Sequence, residues 1–382
     1  MELEVFKYPI FYLKFVGLWI TNNSSLFYKI YAFFMQVLFL YIYMILMGAS
    51  AIKMNNLIEF AELMTFTCTY IATVIKLANI NLKINEFLSL ISDIKRAIKD
   101  FEVPEVYIKK QLIIGKRFFL GNWLPTCIGV ISSDISSFFI GQLGIPMWFP
   151  YDVNRESSAF FFYLSASYQF IESFLYANVN VMIDTLSFMP MVYLVAMLEH
   201  LCNKLENLKR YKLINLNGEI KEIEELDNQK ELLNCVNYQR TIVELTRRTE
   251  AIFAKAFAIQ GSLLSIILCT LAFALTTLTL PKDIPVMIKF SNFMMAMIFQ
   301  LAIPCYYGAM ISLQFDKISY SAFYSDWFYE DQKYRKDFYF FMQNATREFK
   351  LSAFGLYEIN FVTFKKVVNM AYSFYAVFKR IH

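Results

Sequence analysis

Three stretches of this chain, Ile30 to Ile52, Ala256 to Leu280 and Phe290 to Phe315, contain no Asp, Glu, Lys or Arg. Each is longer than the roughly 20 residues a helix needs, at 1.5 Å per residue, to cross the hydrocarbon core of a bilayer. Only closed barrels or helices satisfy their backbone in lipid, and runs of this length are helical. Hydrophobic residues make up 57% of the sequence and charged residues 18%, with a mean hydropathy of +0.42, more apolar surface than a soluble core absorbs. The sequence therefore predicts an all-α membrane protein.

Four further spans are less pure. Leu57 to Leu82 carries Glu59 and Glu62 at one end and Lys76 at the other, where a long side chain can reach the headgroups. Phe118 to Ile140 contains Asp134, and Ser158 to Leu198 is too long for one crossing. Either that fourth segment is a continuous helix running on into water, the reading preferred here, or it breaks at Pro190. The last span, about Ser352 to Phe378, carries Glu358, Lys365, Lys366 and Asn369. Ionisable groups inside a span cost roughly 2.5–3.5 kcal/mol each on insertion scales and persist where they face protein or water. This helix reads as a pore wall.

The resulting organisation is a segment over 1–27, spans one to four over 28–200, a helical connection over 201–255, spans five and six over 256–316, an aromatic anchor helix over 317–350 and a pore-lining seventh span over 351–382. Connections 83–117, 201–255 and 317–350 hold 24 lysines and arginines, whereas 53–56, 141–157 and 281–289 hold four. That bias predicts a cytoplasmic N-terminus and an extracellular C-terminus. Residues 1–27 show no cleavable signal pattern, and the sequons at Asn22, Asn23 and Asn344 fall on the predicted inner side, where no glycan is added.

Other function classes find little support. Cys68, Cys127, Cys202, Cys235, Cys269 and Cys305 lie in spans or inner connections, so no extracellular disulfide is expected. His200 and His382 have no ligand-spaced neighbours, so no metal or other cofactor is expected. No phosphate-binding glycine loop, nucleophile elbow or catalytic carboxylate pair stands out, which argues against an enzyme, and no basic run suggests nucleic acid. Asp-Arg-Tyr after the third span and Asn-Pro-x-x-Tyr in the seventh are absent, against a metabotropic receptor. A transporter would be expected to show internal repeats, and a purely structural or chaperone-like protein would not need a polar seventh helix.

From Ser319 to Glu348 the rings of Tyr320, Phe323, Tyr324, Trp327, Phe328, Tyr334, Phe338 and Phe341 exceed what one solvated helix exposes. They pack either within the chain or between subunits around an axis. On the seventh span, Ile359, Thr363, Lys366, Met370, Ser373, Phe374 and Val377 fall within about 60° of a common face. An apolar cavity with a few orienting polar groups could form from Phe66, Thr69, Tyr70 and Thr73 of the second span and Ser133, Asp134, Ser136 and Ser137 of the third. Tyr176, Asn180 and Asp184 of the fourth and Phe290, Phe293, Met294 and Met297 of the sixth complete the set.

The order Tyr307-Gly308, Asp316-x-x-Ser319, Tyr324-x-x-Trp327, Arg335-Lys336, Phe341-Met342, Gly355, Phe364 and Tyr372 to Phe378 resembles the C-terminal signature of insect odorant receptors. Seven spans, an inside N-terminus and a long second inner connection are similar to that family along the whole chain. The resemblance implies an odorant-gated, non-selective cation channel, a heterotetramer of tuning and co-receptor subunits in the plasma membrane of a sensory dendrite. The chain is shorter than the co-receptor type, so it resembles a tuning subunit. The sister gustatory receptors usually end the last span in a Thr-Tyr-x5-Gln-Phe pattern, which Phe378-Lys379 here does not follow, and a gustatory-type channel is the alternative.

The same resemblance places a hydrophobic gate at Val377, with Phe374 and Ser373 beside it, Met370 on the same face and Lys366 in a wider vestibule. A ring of apolar side chains can block ions by dewetting until it dilates. The family's odorant pocket lies in the outer half of the bundle, among the second, third, fourth and sixth helices, where a volatile hydrophobic ligand would bind. Tyr324, Trp327, Phe338 and Phe341 are the implied subunit anchor, with co-receptor subunits and membrane lipids as partners.

Overall fold

The computed structural model describes residues 4–21, 24–54, 56–208, 228–277, 284–345 and 349–381. A short helix, α1 (Lys7–Phe15), lies against the long helices and seats Leu13 and, just beyond it, Trp19 in the core. Gly17 then adopts φ +76, and an added Cβ would meet the backbone of Ala32 at 2.8 Å, so glycine is needed for the chain to reverse here. The first span is α2 (Leu26–Gln36), one π-helical stretch over Val37–Tyr41, and α3 (Ile42–Lys53). The Ser25 hydroxyl caps it, accepting from the Tyr28 N–H at 3.3 Å.

The second span, α4 (Leu57–Leu82), is followed by α5 (Ile84–Asp100). Ile84, Phe87, Leu90, Ile94 and Ala97 of α5 recur every three or four residues and are all buried. Then come α6 (Glu105–Ile140), α7 (Ala159–Glu206), α8 (Asn228–Thr277) and α9 (Ile284–Phe323). α7 is one unbroken helix of 48 residues, about 72 Å long, with Pro190 inside it. α8 starts well before the apolar run and enters it without a break, so the second half of the 201–255 connection is one rod with the fifth span. The Asn217-Gly218 break expected in that connection lies outside the described residues, as do Asn22, Asn23 and His382.

Five described segments are long and apolar enough to cross a membrane by length and composition. With α6 and the terminal α11 (Phe361–Ile381) they make the seven-helix bundle. α6 packs along α7, α7 along α9, α4 along α8, and α11 along α8 and α9. Below the bundle, α5 and the ends of α7, α8 and α9 gather with α10 (Gln332–Ala345).

Three expectations are corrected. The aromatic stretch after the sixth span is not one helix: α9 ends at Phe323, a turn of 3-10 helix covers Trp327–Tyr329, and α10 starts afresh with Asp331 accepting from the Tyr334 N–H at 2.8 Å. The seventh span begins at Phe361 rather than near Ser352. Between them stands a hairpin, β1 (Ser352–Ala353) against β2 (Tyr357–Glu358), turned by Phe354 and Gly355 at φ 53 and 71. Glu358 therefore sits outside the span, 3.4 Å from Lys350, and Asn360 caps α11 by accepting from the Thr363 N–H at 3.0 Å. Thirdly, Lys76 does not reach toward headgroups: it is 2% exposed and paired inside the bundle.

The hairpin is held by two close approaches. Tyr357 lies across Gly261 and donates to the Phe257 carbonyl, and the Ile359 carbonyl lies across Gly308. Any side chain at either glycine collides, so these positions fix how α8 and α9 present the start of α11.

Candidate functional site

A cavity of about 130 Å³ lies between α4, α6, α7 and α9, with Ile145 of loop 141–158 on its wall. That is near the size that admits a single aromatic ring. The loop is anchored beside it, because its apolar side chains Ile145, Met147 and Phe149 pack with Leu40, Tyr43, Met47, Leu63 and Tyr70. Its backbone is tied down too. Gln169 donates to the Ile145 carbonyl at 3.0 Å, and the Trp148 N–H donates to the Ser50 hydroxyl at 2.7 Å.

The wall is largely aromatic. Tyr70 stacks on Tyr176 with centroids 3.9 Å apart, Tyr43 leans on Tyr70 at 5.5 Å, and Phe66 meets Phe293 at 5.2 Å. Two of these rings are held by their hydroxyls: Tyr70 donates to the Phe39 carbonyl at 2.8 Å, and Tyr176 to the Tyr70 carbonyl at 3.1 Å. α6 and α9 come close where Gly129 faces Asn292, whose amide nitrogen would lie 2.6 Å from an added Cβ.

Of the side chains expected to contact ligand, Phe66, Thr69, Tyr70, Thr73, Ser133, Tyr176, Asn180, Phe293 and Met297 line this cavity. Asp134 does as well. Asp184, Phe290 and Met294 do not, and the side chains of Ser136 and Ser137 lie outside the described residues. Asp184 is committed below the cavity floor. It accepts from Lys76 at 2.7 Å and from the Gln300 amide, while Asn180 accepts from Lys76 at 2.6 Å and from Thr73 at 3.0 Å. Gln260 of α8 continues the chain by donating to the Gln300 carbonyl at 3.2 Å. The polar floor thus joins α4, α7, α8 and α9, and a buried charge with this many partners is structurally tolerable.

The structure adds wall residues that the sequence reading missed, above all Tyr43, Asn122, Glu172, Lys289, Asn292 and Gln300. Glu172 was findable, being the only charged residue between Ser158 and Asp184. A charge in such a run is by default a functional candidate.

The pore-wall candidates share one face of α11. Lys366, Met370, Ser373, Phe374 and Val377 are exposed, while Phe364, Val367 and Ala371 turn toward the core. The anchor candidates divide. Phe338 and Phe341 are buried within the chain, Trp327 stacks on Phe338 at 5.8 Å, and Tyr324 is exposed beside Tyr320, Phe323, Phe328 and Tyr329.

A family model described as 7tm Odorant receptor matches residues 56–372, most of the chain. The chain belongs to the odorant receptor family. Among curated odorant receptors of Drosophila melanogaster, it is 27% identical to Odorant receptor 33a over 66% of this chain and 26% identical to Odorant receptor 33b over 69%. Those matches span 62% and 66% of the two relatives' own lengths, less than two thirds of each. The fold matches the insect olfactory receptor OR5 from Machilis hrabei in complex with eugenol with a TM-score of 0.80, covering 99% of this chain and 98% of that one at 14% identity. A second structure of that receptor gives a TM-score of 0.81 at 13% identity. As a member of that family with this seven-helix fold, the chain is a multi-pass membrane protein.

Proposed function

We propose that this odorant receptor is the tuning subunit of an odorant-gated, non-selective cation channel, assembled with co-receptor subunits in the plasma membrane. Its N-terminus is cytoplasmic, the cavity lies in the outer half, and connections 201–255 and 317–350 form the cytoplasmic anchor. The observation that carries this reading is the ring-sized cavity joined by one helix to the start of α11. Phe293, Met297 and Gln300 of α9 line the cavity, and two to three turns further on Gly308 of the same helix packs under Ile359. A ligand that shifts α9 therefore displaces the platform on which α11 stands, provided it binds the open arrangement better than the closed one.

In this reading the exposed face of α11 lines the conduction path, with Val377 and Phe374 as the gate, Ser373 and Met370 behind them and Lys366 in the vestibule. One Lys366 among co-receptor subunits repels cations far less than a ring of four would, which favours a heteromer. Tyr324 and its exposed neighbours supply the subunit contact. The odorant pocket is formed by Phe66, Thr69, Tyr70, Thr73, Ser133, Tyr176, Asn180, Phe293 and Met297.

The test is whole-cell current during application of a panel of volatiles to cells expressing this chain with and without an insect co-receptor. A ligand-evoked cation current that needs both chains is the expected result. Silence in both conditions despite surface expression would overturn the channel reading.

A further inference from the structure

Three polar atoms of the cavity wall, Glu172 Oε1, the Tyr43 hydroxyl and the Ser173 hydroxyl, stand close to one another without a well-formed hydrogen bond. Glu172 is 2% exposed. Among the described residues, no lysine or arginine lies within ion-pair distance of Glu172 or of its fellow wall carboxylate, Asp134. Both nearby lysines are spoken for, Lys76 by Asp184 and Lys289 by Glu62 and the Gly144 carbonyl. A buried acidic oxygen whose neighbours are only poorly aligned hydroxyls is under-satisfied and costly. The missing partner is a donor, and a cationic one satisfies it best.

The rest of the wall suits a cation. Tyr43, Tyr70 and Tyr176 share the cavity wall with Glu172, and the ring faces outside the Tyr70–Tyr176 stack attract ammonium groups within about 6 Å. One corner already holds an ammonium by the same means: Lys289 Nζ lies 5.2 Å from the Phe66 ring centroid while paired to a carboxylate. Simple alkyl and benzylic amines are ammonium ions in neutral water, as lysine is.

We propose that this cavity selects small cyclic or aryl amines, bound as ammonium ions, with Glu172 as counter-ion and the rings of Tyr43, Tyr70 and Tyr176 as the cradle. The inference rests on the reading of this cavity as the odorant site and narrows its ligand class. Asp134 adds negative potential from α6, and the Tyr43 and Ser173 hydroxyls turn their oxygens to the ammonium hydrogens. A neutral ester or ketone, having no donor, leaves Glu172 Oε1 unmatched. An alcohol matches it with one uncharged bond.

Benzylamine and benzyl alcohol differ by one group at nearly constant volume, so their ratio reads the charge alone. In cells expressing this chain with a co-receptor, benzylamine is expected to act at a concentration on the order of tenfold lower than the alcohol. Glu172→Gln brings the two to parity, and Asp134→Asn lowers the ratio by a smaller factor. Equal or better action of the alcohol on the unaltered chain, or an amine preference that survives Glu172→Gln, overturns the proposal. Binding is read separately from conduction by the thermal stabilisation of purified receptor in detergent. Stabilisation by benzylamine above that by the alcohol upholds the ligand class even where no current flows. Its absence in the unaltered chain, with currents evoked by neutral volatiles, removes the ligand class and leaves the channel reading standing.

Discussion

The two halves of α7 are built on opposite principles. From Asn178 to Leu198 every residue is buried, on all faces of the helix, whereas from Ala159 to Ala177 burial alternates with exposure. The buried half is surrounded by α4, α6, α8 and α9 and is packed with Met, Leu, Val and Ile, including Met182, Leu186, Met191 and Leu194. The other half borders the cavity and buries Ser165, Gln169 and Glu172, polar groups that serve the loop and the cavity wall. Close packing gives the first half a single arrangement. The second leaves room for a ligand to choose among several, so sensing and rigidity are separated along one helix.

The Lys76–Asp184 pair lies within the buried half, close to its cavity end, and removing one partner is the strongest way to break the contrast. Asp184→Leu strands Lys76 in the bundle and is expected to cost about 3–5 kcal/mol, seen as loss of thermal stability in detergent or of surface expression. Adding Lys76→Met recovers most of that loss, because the stranded charge is gone. Failure of the double change to recover would mean that the pair also organises the cavity floor. In the dense half, Leu198→Ala opens a void among close-packed neighbours and costs about 3–4 kcal/mol in the same assay.

Met297→Ala sharpens the comparison from the other side. Its atoms already border a void, so the stability loss falls near the lower limit of about 2 kcal/mol, while the concentration–response curve moves toward larger ligands. The smallest effect is expected far from both halves, where Arg248 lies 2.7 Å from Asp93 and holds its carboxyl below the usual range. A depressed carboxylate stabilises the fold above the unfolded value of about 3.9 and loses that contribution as pH falls through the folded one. Asp93→Asn should therefore lower stability by at most about 1 kcal/mol at neutral pH and flatten its decline in acid.

Legibility in the sequence followed the strength of the constraint. Charge-free runs marked the first, fifth and sixth spans because lipid forbids charge, and the excess length of the fourth signalled a helix continuing beyond the bilayer. The start of the seventh span was misjudged because helical periodicity at Glu358 and Ile359 carries no sign of a hairpin. Only the turn at Phe354-Gly355 and the Asn360 cap reveal one. Cavity residues spaced three or four apart, such as Phe66, Thr69, Tyr70 and Thr73, share a face by geometry alone. Whether Asp184 faces the cavity or Lys76 depends on how α4 and α7 cross, which no single helix encodes.

The pairing of Lys76 with Asp184 also sets an order of events at birth. The two residues are 108 positions apart in the chain, and at 5–20 residues per second a ribosome needs roughly 5–20 s to travel between them. For that interval α4 must wait in or beside the membrane with an unmatched lysine, at an insertion cost of roughly 2.5–3.5 kcal/mol. The second span is thus made stable by the fourth, and a nascent chain halted before Asp184 holds it loosely.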